Sequence, residues 1–337
     1  MIMKKLLWYA GVLFITLISN SCIQNPGPGS SGRSNNLVNI TGSAGEVLVV
    51  LENSLWKGET GNILREVLEQ QFPALPQPEP LFDLVHITTG AFDNMFKAHR
   101  SIVIIDVATQ NSVPEIKYTE NVWAQPQIVI NINSPDIKSL AKLLQDNKER
   151  MVYTLLTYDR KRIASVYNSS KDMSIKNMFA KFHINLAVPR GYNVDVNKED
   201  FIFVSIESLK SSQVIFAYRY PFYGEYDLNS NNLIERRNEF LKRYTTGHRE
   251  GSYMTTAKIP NPQIFDLVKN NKKYVEIRGL WELNKGYMGG PFISHSTIDE
   301  TRKEVITVEG YVYNPGDKKR NLMRQIEAIV YSFELIE

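Results

Sequence analysis

The chain has 337 residues, 43% hydrophobic and 22% charged, which is the composition of a folded globular protein and excludes a disordered, collagen-like or multi-span membrane chain. At about 150 residues per domain the length admits one large or two modest domains. Lysine and arginine number 39 against 36 acidic residues, a net charge of +3, so nothing draws the chain to a phosphate backbone and no nucleic-acid partner is expected.

Residues 1–21 have the form of a signal peptide: Lys4 and Lys5 precede the uncharged apolar run 6–18. Thirteen helical residues would cover roughly 20 Å, short of the roughly 30 Å hydrocarbon core, which disfavours a permanent span. The run ends in Ser19-Asn20-Ser21-Cys22, and Cys22 is the only cysteine. This string resembles a bacterial lipobox, with Ser19 where the common pattern has leucine. The resemblance implies cleavage before Cys22, a diacylglycerol thioether on its sulfur and an acylated amino terminus (palmitate being a usual chain), together a firm anchor. The alternative is a secreted chain with a free thiol. In the anchored form no thiol remains, which excludes disulfides and thiolate catalysis.

Residues 22–40 read as a flexible tether: Pro26-Gly27-Pro28-Gly29-Ser30-Ser31-Gly32 has nothing to bury. Its span of roughly 20 Å would hold the folded body close to a bilayer. The tether lacks the acidic cluster that resembles a surface-export signal, which favours the periplasmic face of the outer membrane over the cell surface.

The rest reads as an α+β chain of two sheet-plus-helix subdomains, 41–180 and 181–337, the second a largely antiparallel sheet with a closing C-terminal helix. In the first, residues 47–51 form a compact apolar strand. Ile63, Leu64, Val67 and Leu68 stripe a helix over 59–72, and Pro73, Pro76, Pro78 and Pro80 force an extended connection. Strands follow at 84–87, 102–107 and 127–132, with a short helix at 92–97. Asn133-Ser134-Pro135-Asp136 starts one long amphipathic helix to about 168. In the second, 184–188, 201–207 and 213–220 read as a strand meander interrupted by a polar helix at 233–244. Strands resume at 253–259, 274–281, 291–297 and 304–313. Leu322, Ile326, Ile329 and Val330 then stripe the closing helix.

Two resemblances attach to these strings. Val308-Glu309-Gly310-Tyr311-Val312-Tyr313, followed by the helix ending in Ser332-Phe333, looks like the end of PsbP-like α/β/α sandwiches and implies fold alone. Trp56-Lys57-Gly58, the segment from Leu75 to Asp83, Trp123-Ala124-Gln125-Pro126-Gln127 and Gly279-Leu280-Trp281-Glu282 with Met288-Gly289-Gly290-Pro291-Phe292 resemble a Bacteroidota envelope lipoprotein family catalogued only as a domain of unknown function. That resemblance implies an envelope address and carries no chemistry.

No catalytic motif stands out. His86, His99, His183, His248 and His295 are far apart and form no ligand pair, so neither a metal nor a cofactor is expected. Gly-x-Ser-x-Gly is absent. In Ser294-His295-Ser296, with Asp299 nearby, neighbouring strand side chains point to opposite faces, so His295 is badly placed to serve either serine as a base. Glu225, Asp227, Glu276, Glu282 and Glu309 lie near aromatic stretches, and two of them 5–9 Å apart would suffice for glycoside hydrolysis. Most acids are solvated surface charges.

The strongest local feature is aromatic: Tyr218-Arg219-Tyr220-Pro221-Phe222-Tyr223-Gly224-Glu225-Tyr226, and Trp281 through Tyr287. Tyr218, Tyr220 and Phe222 alternate and are expected in the core. Tyr223, Tyr226, Trp281 and Tyr287 are candidates for contact with a ligand or partner, because their rings offer an apolar face and a polar tip. The reading is a lipid-anchored, non-enzymatic module binding an envelope protein or glycan. Its alternatives are a cofactor-free glycan hydrolase and an accessory protein docking through the helix 136–168.

Overall fold

In a computed structural model the described residues are 37–247 and 249–336. The expected signal peptide, Cys22, most of the tether and His248 lie outside them. The apolar run after the tether is the central part of a five-stranded sheet. In spatial order its strands are Asp83–Ile87, Glu46–Val50, Ser101–Val107, Ile128–Ser134 and Glu115–Glu120. All pair in parallel except the last, which runs antiparallel at the edge. Val47 and Val49 point into one core, and Leu48 and Val50 into another under Phe92 and Trp123; all four are fully buried. A strand covered on both faces reads as a continuous apolar run, which is how 47–51 announces itself.

The second sheet has eight strands: Met254–Thr256, Lys272–Leu283, Gly289–Asp299, Glu304–Tyr313, Ser212–Pro221, Phe201–Glu207 and Asn193–Asn197 in order, with Gln263–Lys269 hairpinned on Lys272–Leu283. Every pairing is antiparallel. One face carries the closing helix Arg320–Tyr331, whose Ile326, Ile329 and Val330 meet Ile215, Ile293 and Val308. The other carries the helix Ser230–Tyr244, whose Leu233, Phe240 and Leu241 pack on Phe201, Phe216 and Tyr218. The α+β architecture with its antiparallel second sheet and closing helix is as the sequence led us to expect.

The two sheets share a core. The cluster holding Val49 and Ile130 of the first also holds Ile215 and Val308 of the second, and the stretch Leu37–Glu337 is one compact unit. Asp159 is a polar hub within it, accepting from the Gly45 N–H at 3.1 Å, Arg162 at 2.9 Å and Arg324 at 3.4 Å while only 3% exposed. Gly45 has a φ of +78°, so a side chain there would be strained as well as crowded against Arg324.

Several local expectations are corrected. The helix from 136 is two, Ile137–Asp146 and Lys148–Ser169. Asn147 breaks it, with non-helical φ and ψ and its side-chain amide donating to the Leu143 carbonyl at 2.9 Å. The helix expected to Phe72 ends at Leu68. Of 184–188 only Ile184–Asn185 pairs, with Glu334–Leu335, and of 253–259 only Met254–Thr256. Strands at Glu115–Glu120, Asn193–Asn197 and Gln263–Lys269 and a helix at Met173–Lys181 were not anticipated.

Candidate functional site

The helix Ser230–Tyr244 is too short to cover its face of the antiparallel sheet. Where it ends, an aromatic-walled cavity of about 330 Å³ remains between the sheet and the segment 244–247. Trp281, Tyr311, Tyr313 and Phe203 wall it from the sheet, Tyr244 from the helix end, and Met254 and Met288 close its sides. The register explains the convergence. Tyr311 pairs with Phe292 on one side and Val214 on the other, and Val214 pairs with Ser205, which puts one row of side chains on one face. Trp281 pairs with Gly290, where any side chain would collide with the Val312 carbonyl. The bare glycine lets the Trp281 indole lie flat enough for its Nε1 to donate to the Val312 carbonyl at 3.3 Å. Trp281 then stacks obliquely on Tyr311, ring centres 5.0 Å apart.

The polar groups sit at the rim and at one point inside. Asp195 and Glu207 are exposed at the edge, with Ser205 and Ser212 beside them. The Tyr311 hydroxyl has no hydrogen-bond partner among the described residues. Burial raises its pKa, and the carboxylates of Glu309, Asp195 and Glu207 add to the shift, so it stays a neutral donor. Beneath this row lies a buried ion pair, Arg237 with Glu309, and the Arg237 guanidinium rests 3.9 Å from the Phe292 ring centre.

The candidate residues part company. Trp281 is only 2% exposed but forms the cavity wall, and Tyr287, 97% exposed, stands at the tip of the same hairpin next to Met288 with Arg249 over its ring. Tyr223 and Tyr226 are also exposed, at the opposite end of the sheet, since the strand pair from Pro221 with Glu304 to Ser212 with Tyr313 separates the two ends by about 30 Å. Tyr226 borders a separate polar groove of about 1110 Å³ with Glu225, Asp299 and Arg302. Of the three aromatics expected in the core, Tyr218 and Tyr220 are buried and Phe222 is half-buried at its margin. Phe203, Tyr244, Tyr311 and Tyr313 were missed as site residues. The alternation within 201–207 and 304–313 marks them as strand residues without saying which face the helix leaves uncovered.

Glu276 and Glu309 do not come together. They face opposite sides of the sheet: Glu276 bonds Arg278 at 2.7 Å and His295 at 2.8 Å under the closing helix, whereas Glu309 bonds Arg237 on the other face. Asp227 is buried and holds a turn, accepting the Tyr223 N–H at 2.6 Å, while Glu225 and Glu282 are exposed. His295 is committed to Glu276 and Ser296 to Thr307, as the alternation of the strand requires. His86 stacks on Trp56, and His99 bonds Glu46. Among the described residues no three potential ligands gather to hold a metal ion. The apolar stripe of Lys148–Ser169 is turned inward through Met151 and Leu155, leaving Tyr153 and Val166 outside.

Residues 40–168 match the family model described as Domain of unknown function (DUF8532), and residues 169–332 match Domain of unknown function (DUF4837). The chain is thus covered by two families catalogued only as domains of unknown function, and their junction falls at the end of the helix Lys148–Ser169. None of the curated proteins matches it. Among solved structures it is similar to the human StarD13 (DLC2) lipid transfer and protein localization domain, at 10% identity and a TM-score of 0.22 over 49% of this chain and 98% of that one. It is also similar to a Bacteroides thetaiotaomicron VPI-5482 protein (11%, TM-score 0.21, 47% of this chain and 46% of that one) and to human STARD10 (8%, TM-score 0.22, 47% and 79%). Likenesses at these scores carry no functional argument.

Proposed function

We propose that the chain is a lipid-anchored, non-enzymatic module on the periplasmic face of the outer membrane, and that its aromatic cavity holds a ring of an envelope glycan. The observation that carries the reading is the convergence of Trp281, Tyr311 and Tyr313 on one cavity rimmed by Asp195 and Glu207. Its size and mostly apolar lining with a few polar groups suit a small ligand. Aromatic faces stack on the C–H faces of a sugar, while carboxylates and a neutral phenol take up its hydroxyls. The anchor is read from Cys22 and its flanking residues. Confinement to the envelope raises the effective concentration toward a polymer in the same layer, so a weak single-ring contact is enough.

The test has two arms. Calorimetric titration of peptidoglycan and lipopolysaccharide-core fragments should give saturable binding that Tyr313→Ala weakens at least ten-fold without lowering the melting temperature by more than a few degrees. Equal binding by that variant, or no binding by any fragment, refutes the cavity assignment. Mass spectrometry of the detergent-extracted protein should find a diacylglycerol thioether and an acylated amino terminus on Cys22; an unmodified thiol there refutes the anchor.

A further inference from the structure

A further cavity, of about 530 Å³, opens beside the helix Lys148–Ser169, between it, residues 39–44 and the closing helix; the end of the expected tether is thus ordered, Val38–Asn39 pairing as a strand with Ala124–Gln125. Two arginines, Arg100 and Arg162, line it, and among the described residues no carboxylate does. Arg162 is fully engaged: it donates to Asp159 at 2.9 Å, to the Ser101 hydroxyl at 3.1 Å, and to the carbonyls of Pro126 and Arg100 at 2.9 and 2.5 Å. Burial draws its pKa down to about 10, and the like charge of Arg100 acts in the same direction against the pull of Asp159.

Arg100 has no such partners. Its backbone is held by Thr41 and Ile128, but among the described residues its guanidinium makes no hydrogen bond and no ion pair, and its Nε is buried without an acceptor. A half-buried guanidinium beside a second cation, with no carboxylate hydrogen-bonded or ion-paired to it among the described residues, is an unbalanced arrangement. Ile40, Ile163, Val166 and Tyr167 form an apolar strip along the wall, and the neutral polar side chains of Asn39, Gln125, Ser165, Asn321 and Gln325 complete it. Val166 is 63% exposed although it lies on this wall.

We infer that this cavity binds an anionic amphiphile, its phosphate or carboxylate head on the Arg100 guanidinium and its apolar chain along Ile163 and Val166. An oxyanion would give Arg100 the paired acceptors it lacks, since a guanidinium fork matches carboxylate and phosphate geometry. Shielding the exposed Val166 supplies the apolar part of the affinity. The inference stands on Arg100 and its surroundings and is independent of the glycan reading, which concerns the other face of the second sheet.

The test titrates the chain from Ile23 onward, which keeps the compact unit whole and lacks the apolar leader and Cys22, with dodecyl phosphate below its micelle concentration, followed by calorimetry. The expected result is one site per chain, weakened at least ten-fold by Arg100→Gln and by Val166→Asp. Inorganic phosphate and the uncharged dodecyl maltoside should each bind at least ten-fold more weakly than dodecyl phosphate. Arg100→Gln should melt no lower than the parent, because it removes an unpaired buried donor; a purely structural arginine would lower the melting temperature on replacement. No binding of dodecyl phosphate, equal binding by Arg100→Gln, or equal binding of dodecyl maltoside overturns the inference. Inorganic phosphate binding as tightly as dodecyl phosphate overturns it in favour of a free-anion site.

Discussion

Glu79 caps the closing helix from 240 residues away, its carboxylate accepting the Lys319 N–H at 2.6 Å and the neighbouring Arg320 N–H at 3.1 Å. The first N–H groups of a helix have no intrahelical acceptor, and an acid there also suits the helix dipole. Glu79 sits in the proline-rich connection of the first sheet, so the segment that ends one helix provides the start of another. Arg320 returns the contact by bonding Asp83, and Arg324 by bonding the Leu81 carbonyl. Glu79→Ala should destabilise the fold by about 2 kcal/mol, the upper range for loss of a cap, with Glu79→Gln losing less. Urea unfolding measures both; an unchanged midpoint for Glu79→Ala would show that the cap is idle.

Arg237 and Glu309 form a bidentate pair at 2.7 and 2.6 Å with almost no exposure, below the aromatic cavity. Removing one member leaves a buried charge, which costs about 3–5 kcal/mol, whereas replacing both by apolar groups is often close to neutral. Burial raises the Glu309 carboxyl above its ordinary 4.5, with Arg237 opposing. A raised folded pKa means that the native state keeps the proton longer, so the residue's contribution turns against the fold as pH rises above about 4.5. Arg237→Met should therefore lose about 3–5 kcal/mol at pH 7 and less near pH 4.5. Arg237→Met with Glu309→Leu should recover most of the loss. Denaturation at the two pH values decides; a penalty independent of pH would contradict the account.

On the other face, burial pushes the Glu276 carboxyl up, but Arg278 and the His295 hydrogen bond overcome that and hold it well below its ordinary 4.5. A depressed carboxylate contributes stability above about pH 4.5 and loses it as pH falls further. Burial also lowers the His295 pKa below 6.5, so the unfolded chain takes up that proton first and stability begins to decline below about pH 6.5. The melting temperature should fall in both windows. Glu276→Gln should flatten the window below 4.5 while melting lower at neutral pH. A parent curve that is level from pH 7 to 4 would show that this buried cluster does not control acid stability.

Much of the fold was legible because burial leaves a pattern. The run 47–51, the stripe of the closing helix and the strands 201–207 and 304–313 all declare themselves through apolar spacing. What escaped was held by other means. Gln263–Lys269 is largely exposed and exists because Asn270 and Asn271, both at positive φ, turn it back onto Lys272–Leu283. The Asn-Asn dipeptide was the available signal. Glu115–Glu120 is a charged edge strand, and edges are polar by necessity. The break at Asn147 coincides with a side-chain hydrogen bond to the Leu143 carbonyl, which nothing in the apolar spacing announces. At the candidate site, Trp281 was visible as an aromatic near glycines, as was Tyr287 at the tip of the same hairpin. Tyr311 and Tyr313 were not, because their exposure to a cavity is set by where the helix Ser230–Tyr244 stops.

The most direct measurement of the central claim is fluorine NMR of the chain labelled with 5-fluorotryptophan, titrated with the glycan fragments. The Trp281 resonance, assigned by Trp281→Phe, should shift saturably while those of Trp56 and Trp123, which pack against the first sheet, stay in place. A Trp281 line that does not move at saturating fragment, or movement confined to Trp56 and Trp123, would contradict the assignment of the aromatic cavity as the binding site.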